Sequence, residues 1–288
     1  MTNEEVTQVG EYKIERKLAS GTASELYLAK VENVFRVIKV LKPRVAKKLD
    51  EAARFEDEIV HDNIVRYEAI KFDPRYQFFF VTHYYPNRPF GPAVFSTISF
   101  NQTIDLFLKV AEALRHVHSF GTIHGNLKPS NILLVRVNAH FEVMLNDFGI
   151  AYIYDEEYFR GVVLRKTFGY MAPELVAYWV KEKDTTTLPE NTHPTSDIYS
   201  FGICLIEALT GKFLFEEDET RDLDALMSAK YRKRVRLTAV NSPYGVTRIR
   251  ELNDLLTRCI AYDPANRPAS MDEVIEPLKE CKTELLEA

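Results

Sequence analysis

The chain has 288 residues, 46% hydrophobic and 27% charged, the proportions of an ordinary globular protein, which exclude a disordered or fibrous one. Its formal net charge of -5 gives no overall attraction to nucleic acid or anionic lipid, so any basic site is local. Cys204, Cys259 and Cys281 are an odd number without close pairing, the pattern of reduced structural thiols rather than of a disulfide framework or metal site. The stretch "MTNEEVTQVGEYKI" has neither a basic flank nor an apolar core, and no run reaches the length of a membrane span, so a cytoplasmic location without a membrane span is expected.

In chain order, "YKIERKLA", "SELYLAK" and "VFRVIKVL" are rich in β-branched and aromatic residues, and a Gly-Thr-Ala turn joins the first two, which reads as a β-meander. Val45, Leu49, Ala52 or Ala53, Phe55 and Ile59 then recur at helical spacing opposite a charged face. "NIVRYEAI" and "YQFFFVTHYY" return to strand character. The three prolines and one glycine of "PNRPFGP" make a stiff connection, the best candidate for a lobe boundary.

Beyond it the chain is mostly helical. Ile104, Phe107, Leu108, Ala111, Leu114 and His118 form one stripe, with Gly121 placed to end the helix. "SDIYSFGICLIEALTG" is apolar nearly all round and reads as a buried central helix closed by Gly211. Ser270 and Glu273 make a capping-box pattern for a last helix.

A sheet lobe, a hinge and a helical lobe, with "VIK", "HGNLKPSN", "DFG", "APE", "SDIYSFG" and "NRP" in this order, closely resemble the protein-kinase family over about residues 11 to 283. "NLKPSN" and "TFGYMAPE" are more similar to its Ser/Thr branch. The resemblance implies an α+β, two-lobed fold: a sheet lobe over 11–85 with one main helix, a hinge at 83–87, and a helical lobe over 88–283, with tails at 1–10 and 284–288.

It also implies an ATP and Mg2+ site. Lys39 matches the lysine that binds the α- and β-phosphates, and Glu51, chosen over Glu56 and Glu58, its helix partner. Asp147 and Asn131 match the metal ligands, with the hard oxygen donors magnesium prefers. Lys128 matches the lysine that contacts the transferred phosphate. The backbone of His83 to Tyr85 would hold the adenine, with Thr82 behind it, Leu26 and Val37 above and Leu133 below. His124, Asp197 and the Glu174–Arg267 pair match scaffold positions.

The departures are as specific as the matches. Asn126 stands where the family has the aspartate that accepts the substrate hydroxyl's proton, and an amide cannot take it. Gly125 replaces an arginine that clamps an activation-segment phosphate, and the segment's single threonine, Thr167, stands at the family's substrate-platform position. The glycine-rich roof is Ala19-Ser20-Gly21-Thr22-Ala23-Ser24, keeping one family glycine, Gly21. The His-Gly-Asn triplet is similar to those of the kinase-like domains of receptor guanylyl cyclases and Janus kinases. The leading expectation is therefore a pseudokinase that binds ATP and acts on a protein partner as scaffold or allosteric regulator. The alternatives are a weakly active Ser/Thr kinase and a pure interaction module.

Two surface segments stand apart. "KEKDTTTLPENTH", residues 181–193, makes the interval before Asp197 roughly ten residues longer than the family's; most such loops are solvated, with a partner-binding loop as the alternative. "KYRKRVR", residues 230–236, is the one dense basic run; it reads as a solvated face, with contact to an acidic protein as the alternative.

Overall fold

The computed structural model describes residues 6–20, 24–42, 59–137, 140–147, 164–181, 193–220, 222–237 and 249–282. Gly21, Glu51, Phe55, Phe148 and most of the 181–193 segment, all singled out in the sequence, lie outside them.

The two-lobed α+β architecture is present. β1 (Gln8–Val9), β2 (Tyr12–Ser20), β3 (Ser24–Val31), β4 (Val34–Leu41), β5 (Tyr67–Asp73) and β6 (Gln77–His83) form an antiparallel sheet in the order β1-β2-β3-β4-β6-β5. The meander forms because its β-branched and aromatic residues alternate between two faces. One face packs Tyr12, Tyr27, Ala29, Ile38, Val40, Phe79 and Val81 together. The edge strand β1 was not read from the sequence; two residues are too few for a periodic signal. "NIVRYEAI" also begins later than expected: its Ile64 makes only an isolated parallel bridge with Leu145, and the strand starts at Tyr67.

"PNRPFGP" does more than connect. β7 (Asn87–Pro89) pairs with β8 (Ile132–Val137), which pairs with β9 (His140–Leu145), so the hinge is anchored on the hairpin that follows the catalytic-loop motif. α1 (Pro92–Phe95) leads to α2 (Phe100–Ser119), capped by a reciprocal box between Ser99 and Gln102. Gly121, at φ 70, donates its N–H to His118 and closes α2 as expected.

α3 (Leu164–Tyr170), α4 (Pro173–Lys181), α5 (Thr195–Thr210), α6 (Leu223–Arg232), α7 (Ile249–Cys259) and α8 (Asp272–Glu280) complete the helical lobe. α5 is its buried axis, terminated by Gly211 in the left-handed conformation at φ 68. Cys204, Cys259 and Cys281 are free and buried. The Ser270 box does not form as read. α8 starts at Asp272 without a side-chain cap, and the Glu273 carboxylate instead accepts the Ala269 N–H at 3.3 Å. Among the described residues no helix is long and apolar enough to cross a membrane.

Candidate active site

Strand register gathers the upper half of the site. Leu26 lies opposite Lys39, Lys39 opposite Phe80, and Val37 opposite Thr82. With a side-chain period of two, Leu26, Val37, Lys39 and Thr82 share the sheet face opposite the Tyr12–Phe79 cluster. Lys39 and Thr82 are buried, while Leu26 and Val37 are half-buried. At the hinge, the Tyr85 ring meets the His83 ring at 4.9 Å and packs with Leu133 against Val65, Val135 and Met144. Hinge and floor therefore share one small apolar cluster. The Tyr84 N–H donates to the Phe35 carbonyl at 3.2 Å, which ties the hinge back to β4.

The lower half is the loop "HGNLKPSN", held from below by Asp197 of α5. Its Oδ2 accepts the His124 N–H at 2.7 Å and its Oδ1 the Gly125 N–H at 2.9 Å. His118 on α2 adds a third contact, Nε2 to Asp197 Oδ2 at 2.9 Å. Burial alone would raise this carboxyl, but the His118 hydrogen bond and the surrounding donors outweigh it and hold it below the usual carboxylate value. His118 was read only as a member of an apolar stripe; the signal available was a histidine among aliphatic residues.

The loop then closes on itself. His124 Nδ1 faces the Asn126 N–H at 3.3 Å and its Nε2 lies 3.1 Å from the Asn146 carbonyl. The first contact requires an acceptor and the second a donor, which selects the neutral tautomer protonated on Nε2. Burial also pushes the His124 pKa down. Asn131 Nδ2 donates to the Asn126 carbonyl at 2.8 Å, and the Asn146 N–H donates to the Asn131 carbonyl at 2.8 Å. Gly125 adopts φ 72, a left-handed conformation that glycine takes without strain.

Between the two halves, Lys39 Nζ lies 2.8 Å from Asp147 Oδ1. Asp147 has φ 58, which turns the chain sharply just after β9. Lys128 is half-buried near this pair; burial lowers its pKa, the nearby Asp147 charge opposes that, and Lys39 adds to it.

A family model described as "Protein kinase domain" matches residues 12–278. The chain belongs to the protein kinase family. It is 27% identical over 282 residues to an inactive leucine-rich repeat receptor-like serine/threonine-protein kinase of Arabidopsis thaliana, covering 93% of this chain and 41% of that one. It is 31% identical over 217 residues to the serine/threonine-protein kinase PknJ of Mycobacterium bovis, covering 71% of this chain and 34% of the relative. This kinase domain thus spans well under half the length of either. In fold it matches the Mycobacterium tuberculosis PknI kinase domain with a TM-score of 0.65 at 19% identity, covering 96% of this chain and 99% of that one. A double mutant of PknI matches at 0.70 and 18%, covering 98% and 100%.

Kinase domains generally use ATP with Mg2+, and the donor set here suits that pair. Because Asn131 Nδ2 is committed to a carbonyl, its Oδ1 is the oxygen left over, and Asp147 has its second carboxylate oxygen beyond the one on Lys39. Two hard oxygens and one buried ammonium are the chemistry that magnesium and phosphate require. The Asn126 carboxamide, on a buried residue, makes no hydrogen bond among the described residues, so its oxygen keeps its acceptor capacity.

Two scaffold features of the kinase domain complete the frame. Arg267 uses all five donors: Nη1 and Nη2 meet the two Glu174 oxygens at 2.7 and 2.8 Å, and the carbonyls of Ala261, Thr195 and Tyr262 take the remaining bonds. Lys230 corrects the reading of "KYRKRVR" as a solvated face. It is buried, donating to the carbonyls of Gly169 and Met171, each at 2.8 Å, beneath the Tyr199 and Phe215 rings. A lysine stem is long enough to cross from α6 to the segment before "APE", a reach that local sequence does not reveal. Thr167, at the start of that segment, is half-buried.

Proposed function

We propose that this kinase domain, one unit over residues 11–283 with its hinge at 83–87, binds Mg-ATP but has lost most phosphoryl transfer. It acts as a scaffold or allosteric regulator of a protein partner. The observation that carries this reading is a contrast inside one loop. The backbone of Asn126 is held by His124 and Asn131 in a fully formed catalytic loop, while its side chain is an amide with no proton-accepting carboxylate.

In this reading Lys39 meets the α- and β-phosphates, with Glu51 as its helix partner. Asn131 and Asp147 hold magnesium, and Lys128 faces the transferred phosphate. Gly21 belongs to the roof over the phosphates, Leu26 and Val37 cover the adenine, the backbone from His83 to Tyr85 reads its edge, Thr82 lies behind it and Leu133 beneath. Bound Mg2+ would neutralise phosphate charge. The loss of a positioned base costs about 10²- to 10⁴-fold in rate. The free carboxamide oxygen of Asn126 favours a second reading, a slow Ser/Thr kinase, since it can still accept and orient a substrate hydroxyl.

Thermal melting with Mg-ATP tests the nucleotide half. At about 100 times Kd the gain is about 2.7 kcal/mol, or roughly 5 °C for a chain of this size. Asp147→Asn should lose most of that shift. No shift at millimolar Mg-ATP would leave the pure interaction module as the reading.

A further inference from the structure

We propose that the cleft between the C-terminal ends of α6 and α7 docks an acidic, extended peptide of a partner protein. This rests on the partner-binding reading above and names the surface and the partner's chemistry. The cleft has a volume of about 420 Å³ and is lined by Tyr231, Lys233, Arg234, Arg258, Tyr262 and Asp263 among others.

Its charges are unevenly satisfied. Lys233 is paired with Glu219 at 2.7 Å and Arg258 with Glu273 at 3.3 Å. The Asp263 carboxylate accepts the Ala265 N–H at 2.9 Å and is turned into its own loop. Among the described residues Arg234 has no carboxylate: its Nη1 meets the carbonyls of Tyr231 and Lys233, at 3.2 and 2.8 Å, which leaves other guanidinium donors for a ligand.

The chain leaving α6 repeats this arrangement. Lys233, at φ -59 and ψ 139, is extended, and from there Val235 and Leu237 turn toward the core while Arg234 and Arg236 face solvent. Arg236 also has no ion-pair partner among the described residues, whereas the Arg232 charge lies near the Glu219 carboxylate. Arginines two residues apart on extended chain are spaced at about 7 Å, the spacing of alternate side chains on a partner strand. Two arginines, Arg234 and Arg236, without a carboxylate among the described residues of a chain of net charge -5 are a local attraction, which points to carboxylates at alternate positions.

The wall of the cleft supplies an apolar element. Tyr231 is 67% exposed and meets Tyr262 edge to face at 5.4 Å, a surface suited to an aliphatic or aromatic side chain between the acidic ones. The next residue back, Lys230, holds the Gly169 and Met171 carbonyls. A partner on this cleft therefore binds a helix bonded directly to the substrate-platform segment.

The test is fluorescence anisotropy of the full chain with a labelled peptide alternating Glu with Leu and Phe. We expect saturable binding that weakens with added salt, at least about tenfold weaker binding by an Arg234→Glu/Arg236→Glu variant, weaker binding by Tyr231→Ala, and none to a Lys-for-Glu peptide. Undiminished binding by the charge-reversed protein, no saturation, or tighter binding of a single-stranded oligonucleotide than of the peptide would overturn the proposal. A failed peptide titration alongside a normal Mg-ATP shift counts against the cleft alone; normal peptide binding without the shift counts only against the nucleotide reading.

Discussion

The Lys39 ammonium contacts Asp147 Oδ1 at 2.8 Å, and this one ion pair joins β4 of the sheet lobe to the chain after β9 in the helical lobe. Both groups lie largely out of water, so removing either leaves a charge without its counterion. A double-mutant cycle with Lys39→Met and Asp147→Ala, read by urea denaturation, should give a coupling of about 1–3 kcal/mol. Additive effects would mean that the pair contributes nothing to holding the lobes together.

Asn126→Asp puts a carboxylate, able to accept a proton, in a loop whose backbone is already held. Phosphoryl transfer to a generic protein substrate should rise by about 10²- to 10⁴-fold from a near-zero rate. Equal rates for the natural protein and the variant would show that a step other than proton removal limits transfer. Clear transfer by the natural protein, abolished by Asp147→Ala, would establish the slow-kinase reading instead.

His124 gives stability a pH dependence of definite sign. Burial lowers its folded pKa, so as pH falls below its ordinary value of about 6.5 the unfolded chain takes a proton that the folded one resists. Stability is therefore full above that value and declines below it, by up to about 1.4 kcal/mol per pH unit until the folded pKa is reached. Urea midpoints between pH 7.5 and 5.5 should show this slope, and His124→Asn should reduce it. His61, also lowered by burial and by neighbouring His116, contributes in the same direction.

The Glu174–Arg267 pair is a scaffold element whose two halves differ in burial: the Arg267 side chain is 0% exposed and that of Glu174 32%. Glu174→Ala leaves a buried guanidinium with two donors unmet, and should cost about 3 kcal/mol in chemical denaturation, the lower end for a broken buried pair. A cost under about 1 kcal/mol would mean that water replaces the carboxylate.

Much of this architecture was legible because it rests on local chemistry. Gly121 and Gly211 end their helices as read, since a left-handed closing residue favours glycine. The meander was legible from its alternation, and register then aligned Leu26, Val37, Lys39 and Thr82 on one face. Gly125 was read only as a lost arginine; its φ of 72 adds that the position is left-handed, a backbone property with no sequence signal of its own.

The sequence by itself determined the family, the order of its lobes, and the amide at position 126, because side-chain identity and motif order are properties of the chain alone. Only the tertiary structure decided who answers whom. Asp197 binds His118, 79 residues away, and Lys230 binds Gly169, 61 residues away. Burial and pairing are sums over elements that meet only when the chain folds. For that reason a basic run read as uniformly solvated separates into a buried Lys230, a Lys233 paired with Glu219, and three exposed arginines.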